Sequence, residues 1–341
     1  MKIALALSGG GHRAAAFHLG ILKFLAEKNL LEKVTDISST SGGSILVAQI
    51  FHNSAAIKPS PGSFRSVLAW PGSEVFLAKV LPLCKHQITQ LSLENNFIKR
   101  MLCPANWLKF GHRANLMARV LEKYWFITSP IQELPKQPSW VINGTTNLSG
   151  EHWRVVHDAN KNVIGSDDIG FTDSSNFSIA DAVAISAAYP GVIGPYRFKT
   201  ADKIVYLSDG GLYDNLGLEP VFDLEKQKIR QGIEADFLIV SDASKGISHK
   251  RLAPFWRPLL RTLRLIDVIN QQVRSLRLRT LLPFLKHNPQ QGMYLAIGSA
   301  PTLANLPDSL FDYEFLSEID IERAKNTATS LASLSESEFD N

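Results

Sequence analysis

In "SSTSGGS", residues 38–44, Ser41 has Ser39 two positions before it and Gly43 two positions after it. A serine nucleophile on a tight strand-to-helix turn needs small residues at those two places, because the backbone bend brings them together. The general pattern is Gly-x-Ser-x-Gly, and here a serine replaces the first glycine. Thr40 and Gly42 complete the candidate elbow. The same stretch is also ordinary loop and helix-cap composition, so alone it decides nothing.

Acyl transfer from an ester builds negative charge on the carbonyl oxygen. Preorganised backbone N–H groups stabilise that charge, and losing one such donor costs ~10²- to 10³-fold in rate. "LALSGGGHR" supplies the backbone: Gly9, Gly10 and Gly11, with Arg13 close behind, leave an apolar run and enter a helix N-terminus. A proton acceptor is also needed, and "LSDGG" offers Asp209, with Gly210 and Gly211 leaving room for close approach. An aspartate in water, with a pKa of ~3.9, is a poor base, so Asp209 must be desolvated to act near neutrality. A turn aspartate bonding its own backbone is the plainer reading of that residue, and Asp214 is the fallback candidate.

The elements that must hold these groups are legible in outline. "KIALALS" reads as a fully buried strand, and residues 13–28 carry Phe17, Ile21, Leu22 and Leu25 at helical spacing. "VTDISST" is a second strand and "SILVAQIF" opens a second helix, which together imply a parallel α/β sheet. Neighbouring strands one and two bring the glycines and Ser41 to the same end. Prolines punctuate helix-like pieces from about 53 to 130, suggesting a helical insertion and a possible active-site cover. Further strands are expected at "SWVINGTTN", "HWRVVHD", "KIVYLSD", "ADFLIVSDA" and "MYLAIGSA". "SIADAVAISAAYP" reads as a capped, alanine-rich helix stopped by Pro190 and Gly191. The tail, 326–341, rich in Ser and Glu, is expected to be flexible, leaving 1–325 as a single catalytic domain.

"SGGGHR", then "STSGGS" about thirty residues on, then "SDGG" well downstream, resemble the patatin-like phospholipase family in order and spacing. "AAYPGVIGPYRF" is similar to the helix and proline-glycine exit that precede that family's Asp-Gly-Gly element. The resemblance covers roughly residues 2–217. It implies a three-layer α/β/α sandwich around a mostly parallel sheet, and a lipid acyl hydrolase using a Ser-Asp dyad with no histidine, metal or cofactor. Carried over, Ser41 is the nucleophile, Asp209 the base, and Gly9, Gly10, Gly11 and Arg13 the anion-stabilising loop. Ser39 departs from the family pattern at the elbow. The implied partners are a phospholipid or other acyl lipid and a membrane surface, with an oligomer or activating ligand where the chain is a regulated membrane-damaging effector.

Hydrophobic residues at 45% and charged residues at 20% are the proportions of a soluble globular protein. The two cysteines, Cys84 and Cys103, make neither a disulfide framework nor a CxxC metal site, which favours a reducing compartment. The apolar stretch from Ile3 to Leu7 is too short for a signal-peptide core, and no run reaches the ~18 apolar residues of a spanning helix. A cytoplasmic protein, peripheral on the membrane, is therefore expected. Ten basic residues lie between Lys245 and Lys286 against one acid, Asp267, interleaved with Trp256, Leu263, Ile266 and Phe284. This segment, 245–287, suits anionic headgroups, with Ile266, Ile269, Val273 and Leu276 packing inward and Arg274 and Arg277 snorkelling outward.

Three rival readings remain at this stage. Gly9-x-Gly11-x-x-Ala14 fits a relaxed dinucleotide fingerprint, but the second strand ends in Ser39 to Gly43, where that fingerprint wants an acid. A Ser-Asp-His triad needs His249 or His287, yet Ser41 follows only two strands; His12, His18 and His52 read as structural or surface residues. A non-catalytic lipid-binding scaffold would use the basic segment alone. Nothing points to nucleic acid.

Overall fold

The computed structural model describes residues 1–60, 63–200, 202–244, 257–299, 317–327 and 329–340. Fourteen strands and eleven α-helices, besides shorter 3₁₀ and π turns, are described in it. β1 (Ile3–Leu7) leads to α1 (Gly11–Glu27), and β2 (Val34–Thr40) to α2 (Gly42–Asn53). A hairpin, β3 (Ala56–Ser60) and β4 (Ser63–Val67), follows. Then come α3 (Ser73–Val75), α4 (Leu81–Gln90), α5 (Leu93–Leu102) and α6 (Ala114–Tyr124). The expected insertion at 53–130 is thus helical only after a two-stranded start.

Next are β5 (Ser139–Thr146), β6 (His152–His157), β7 (Asn162–Ser166), β8 (Gly170–Asp173) and α7 (Ile179–Ser186). They are followed by β9 (Tyr196–Lys199), β10 (Ile204–Asp209), α8 (Gly211–Asp214), β11 (Phe222–Asp223), β12 (Lys228–Ile229) and β13 (Phe237–Asp242). The chain closes with α9 (Pro258–His287), β14 (Gly292–Ala296), α10 (Glu318–Asn326) and α11 (Glu336–Asp340).

The main sheet runs β14-β13-β1-β2-β5-β6-β7-β8, with β10 also on β5 and β9 on β10. From β14 to β5 all pairings are parallel. Beyond β5 they are antiparallel. β1 shows why the sheet is covered on both faces. Its alternate residues Ile3, Leu5 and Leu7 join the large core with α1 and α2, whereas Ala4 and Ala6 join a second core with Leu281 and Phe284 of α9. Side chains alternate across a strand, so one apolar run feeds two layers of helix. Each fully buried Leu or Ile contributes about 1.5–3 kcal/mol.

Two expectations are corrected here. Residues 329–334 are no loose tail: Leu331 and Leu334 are buried in the large core, because two leucines among the serines and glutamates find a groove. Helix α9 is also turned the other way. Arg274 pairs with the buried Asp242 at 2.6 Å, and Arg277 with Asp214 at 3.2 Å and Glu219 at 2.5 Å, while Ile269 and Leu276 are exposed. Buried carboxylates under the helix draw the guanidinium groups inward, leaving apolar residues outside. Lys245, His249, Lys250, Arg251 and Trp256 lie outside the described residues.

Candidate active site

Ser41 stands between β2 and α2 with φ 50° and ψ −113°, a left-handed conformation that costs a non-glycine residue about 1–3 kcal/mol. It occupies the N-cap of α2, yet its hydroxyl makes no cap hydrogen bond. The strained turn is held from below. The Ser41 N–H donates to Ser186 Oγ at 2.9 Å; Ser186 Oγ meets Ser44 Oγ at 2.9 Å, and Ser44 Oγ meets Ser39 Oγ at 2.9 Å. Trp140 Nε1–H donates to Ser39 Oγ at 2.8 Å and ends the chain. Ser39 therefore replaces glycine because its hydroxyl is a buried link between the tryptophan and the elbow.

The elbow glycines permit close approach. A β-carbon on Gly42 would fall 2.2 Å from the Gly11 carbonyl oxygen, and one on Gly43 2.7 Å from that of Leu7. Thr40 Oγ1–H donates to the Asp214 carbonyl at 3.0 Å, tying the end of β2 to the segment after Asp209.

Asp209 ends β10 opposite Gly144 of β5, while Thr40 of β2 lies opposite Asn143. β6 occupies the other edge of β5, so β2 and β10 share one edge and meet end to end. The Asp209 carboxylate accepts the Gly211 N–H at 2.7 Å, and the Ser41 side chain lies near enough to favour its charged form. Burial pushes its pKa up to about 7, against the opposing pull of those two groups. Gly210 and Gly211 admit the turn: β-carbons there would fall 2.4 Å from the Asn143 carbonyl oxygen and 2.6 Å from Asn215 Oδ1.

The glycine loop divides its labour. The Gly9 N–H is spent on the Asn215 carbonyl at 3.0 Å, and the His12 N–H on that of Ser330 at 2.9 Å. Among the described residues no acceptor takes the Gly10 or Gly11 N–H, and both residues have positive φ, 145° and 62°. Gly9 acts by closeness, since its β-carbon would meet Asn215 Oδ1 at 2.4 Å and Ser41 Cβ at 3.2 Å. Arg13 is likewise committed: Nη1 donates to the Thr327 carbonyl at 2.9 Å and Nη2 to that of Ala243 at 2.7 Å. Two of its guanidinium nitrogens thus brace the loop, and Arg13 also lines the cavity beside it.

Gly10, Gly11, Ser41 and Asp209 open into a cavity of about 630 Å³. Phe97, Met117, Ile193 and Leu331 give it an apolar wall; Asn270, Gln271 and Arg274 of α9 line another part. Among the described residues no histidine lines this cavity. His287 sits exposed at the end of α9, donating to the Pro283 carbonyl, and His249 lies outside the described residues. His12 and His18 are buried, and desolvation lowers both to about 4. Asp214, the fallback base, is spent on the N–H groups of Leu216, Leu218 and Glu219 and on Arg277. Also among the described residues, no three His, Cys, Asp or Glu side chains gather as metal ligands, and no helix is long and apolar enough to cross a membrane.

A family profile described as patatin-like phospholipase matches residues 5–222, more than half of the chain. The chain belongs to that family. No curated protein sequence matches it. Among solved structures, it is similar to the human GIVD cytosolic phospholipase A2 in complex with methyl gamma-linolenyl fluorophosphonate. Identity there is 16%, over 56% of this chain and 30% of that one, with a TM-score of 0.38. VipD from Legionella pneumophila matches at 15% identity over 99% of this chain and 65% of that one, TM-score 0.36. ExoU from Pseudomonas aeruginosa, in complex with SpcU, matches at 14% identity over 84% and 53%, TM-score 0.30. This patatin-like chain spans 30% to 65% of the length of those three.

Proposed function

We propose that this patatin-like protein is a lipid acyl hydrolase of the phospholipase A or lysophospholipase type, working through Ser41 and Asp209. The observation that carries this reading is the buried Asp209 carboxylate, raised to about 7 and lining the same cavity as Ser41, on strands that meet at adjacent residues of β5. Ser41 Oγ attacks the ester carbonyl carbon as its proton passes to Asp209. The Gly10 and Gly11 amides receive the developing oxyanion, and the departing alkoxide takes the proton from Asp209. Water then attacks the acyl-serine with Asp209 again as base, releasing the fatty acid. The cycle uses no metal or cofactor. Phe97, Met117, Ile193 and Leu331 offer the acyl chain its apolar wall.

Incubation with a fluorophosphonate tests the reading. Ser41 in the wild type is expected to be phosphonylated and the Ser41→Ala protein not, with fatty acid released from a panel of lipid esters by the wild type alone. Absence of labelling at Ser41, with no release from any lipid, overturns it.

The substrate belongs in a membrane surface, and α9 supports that placement. Its inner side lines the cavity with Asn270, Gln271 and Arg274, while Leu265, Ile269 and Leu276 stand 56–60% exposed along its outer side. Such a stripe beside a lipid cavity suits shallow insertion among headgroups. Ile269→Asp with Leu276→Asp is expected to lower the ratio of vesicle to soluble-ester turnover; an unchanged ratio rejects α9 as the docking face.

A further inference from the structure

Two consecutive carbonyls near the end of the chain bridge the glycine loop and the cavity wall. The Ser330 carbonyl accepts the His12 N–H at 2.9 Å, and the Leu331 carbonyl accepts the Glu94 N–H at 3.0 Å. Glu94 lies in the first turn of α5, which also contributes Phe97 to the cavity. The next carbonyl, of Ala332, accepts Nδ1–H of His12 at 2.7 Å, and the Leu334 N–H donates to Ile88 of α4 at 3.1 Å. Gly11 is shaped to this contact, because a β-carbon there would fall 2.2 Å from the Ser330 carbonyl oxygen. The third glycine of the run therefore serves residue 330 as well as the amide bed.

His12 carries a second clue. Its ring is fully buried and stacks on Trp125 at 5.3 Å and 9° between planes. A carbonyl can only accept, so Nδ1 holds the proton, and Nε2 has no partner among the described residues. A phenylalanine keeps an aromatic ring that can stack on Trp125 in that space. The one feature it lacks is the donor to Ala332.

We propose that residues 329–334 form a strap that completes the active site, seating the Gly10 and Gly11 amides through the positioning residue His12 and closing the acyl wall with Leu331. This rests on the proposed hydrolase reading of Ser41 and Asp209. The strap touches no reacting atom, apart from lining the cavity. Its effect is on geometry: amides aimed at an oxyanion lose their advantage when the loop bearing them shifts by a fraction of a bond length.

The test uses the full-length chain carrying His12→Phe or His12→Asn, compared with wild type by three readouts. These are the rate of Ser41 labelling by a fluorophosphonate, kcat and KM on p-nitrophenyl butyrate, and hydrogen exchange across residues 9–13. His12→Phe is expected to lower kcat and labelling about ten- to hundredfold with KM within about twofold, and to speed exchange at residues 9–13. His12→Asn, whose amide N–H takes the place of Nδ1–H, is expected to recover most of that loss. Wild-type rates and exchange in His12→Phe overturn the proposal. So does an equal fall in both variants, which would assign the effect to ring packing. If wild-type Ser41 is itself unlabelled, the hydrolase reading fails; unchanged exchange in His12→Phe then overturns the strap separately, and faster exchange supports it.

Discussion

Ser41 and Asp209 reach each other from strands that run in opposite directions along one edge of β5. Thr40, just before the serine, pairs with Asn143, and Asp209 pairs with Gly144, the next residue of the same strand. The separation of hydroxyl and carboxylate is thus set by strand register, which a covered sheet specifies strongly. Loops supply the direction of approach, and the sheet supplies the distance.

Activity is expected to rise with pH through an apparent pKa near 7, as Asp209 loses its proton, and then stay level to about pH 9. With no histidine lining the described cavity, no alkaline limb from an imidazolium acid is expected. A kcat/KM profile on a soluble ester checks this; a midpoint near 4 would show that burial does not tune the carboxylate.

The same burial acts on stability. Asp209 binds its proton more tightly folded than unfolded, so its contribution is present below the unfolded pKa of 3.8. That contribution is lost as pH rises towards 7, amounting to about 4 kcal/mol at the alkaline end. Asp209→Asn removes this penalty. The inactive variant is expected to gain Tm over wild type, and by more at pH 8 than at pH 5, in parallel thermal melts.

Restoring the general elbow pattern is expected to do harm. Ser39→Gly leaves the buried Trp140 Nε1–H without its acceptor and cuts the chain to Ser186, at a cost of about 1–3 kcal/mol. Denaturant unfolding with turnover measured alongside should show both lower stability and lower kcat. Equal or better values would mean that the hydroxyl chain does not support the turn.

Gly42→Ala pushes a methyl group against the Gly11 carbonyl oxygen, 2.2 Å from the ideal β-carbon position. Backbone must move on both sides of the site. A loss of at least about 10²-fold in kcat is expected, measured as single-turnover release from an activated ester.

Leu331→Ala enlarges the apolar wall and removes contacts along an acyl chain. The ratio of kcat/KM for a dodecanoyl over a butanoyl ester is expected to fall roughly tenfold, since each methylene in a pocket is worth about 1–3 kcal/mol at most.

The motif loops were legible because their requirements are local. A bend needs small residues beside Ser41, and close backbones need glycine at 42, 43, 210 and 211. Family resemblance supplied the roles that spacing left open. Other features depended on distant partners. The run "IVYLSD" reads the same whichever way its strand lies, so the antiparallel seat of β10 had no signal. The apolar period of α9 pointed Ile269 and Leu276 inward, but periodicity takes no account of Asp242 and Asp214 beneath the helix. The serines and glutamates after residue 326 hid two leucines that the core takes up. His12 gave no hint of its donor role, because the acceptor lies 320 positions away.

That separation has a bearing on timing. Closing a loop of such length comes late in folding, after the nearer contacts have formed. A chain cut before residue 329 keeps Ser41, Asp209, Arg13 and the glycines of the site, yet lacks the Ser330 and Ala332 carbonyls that hold His12.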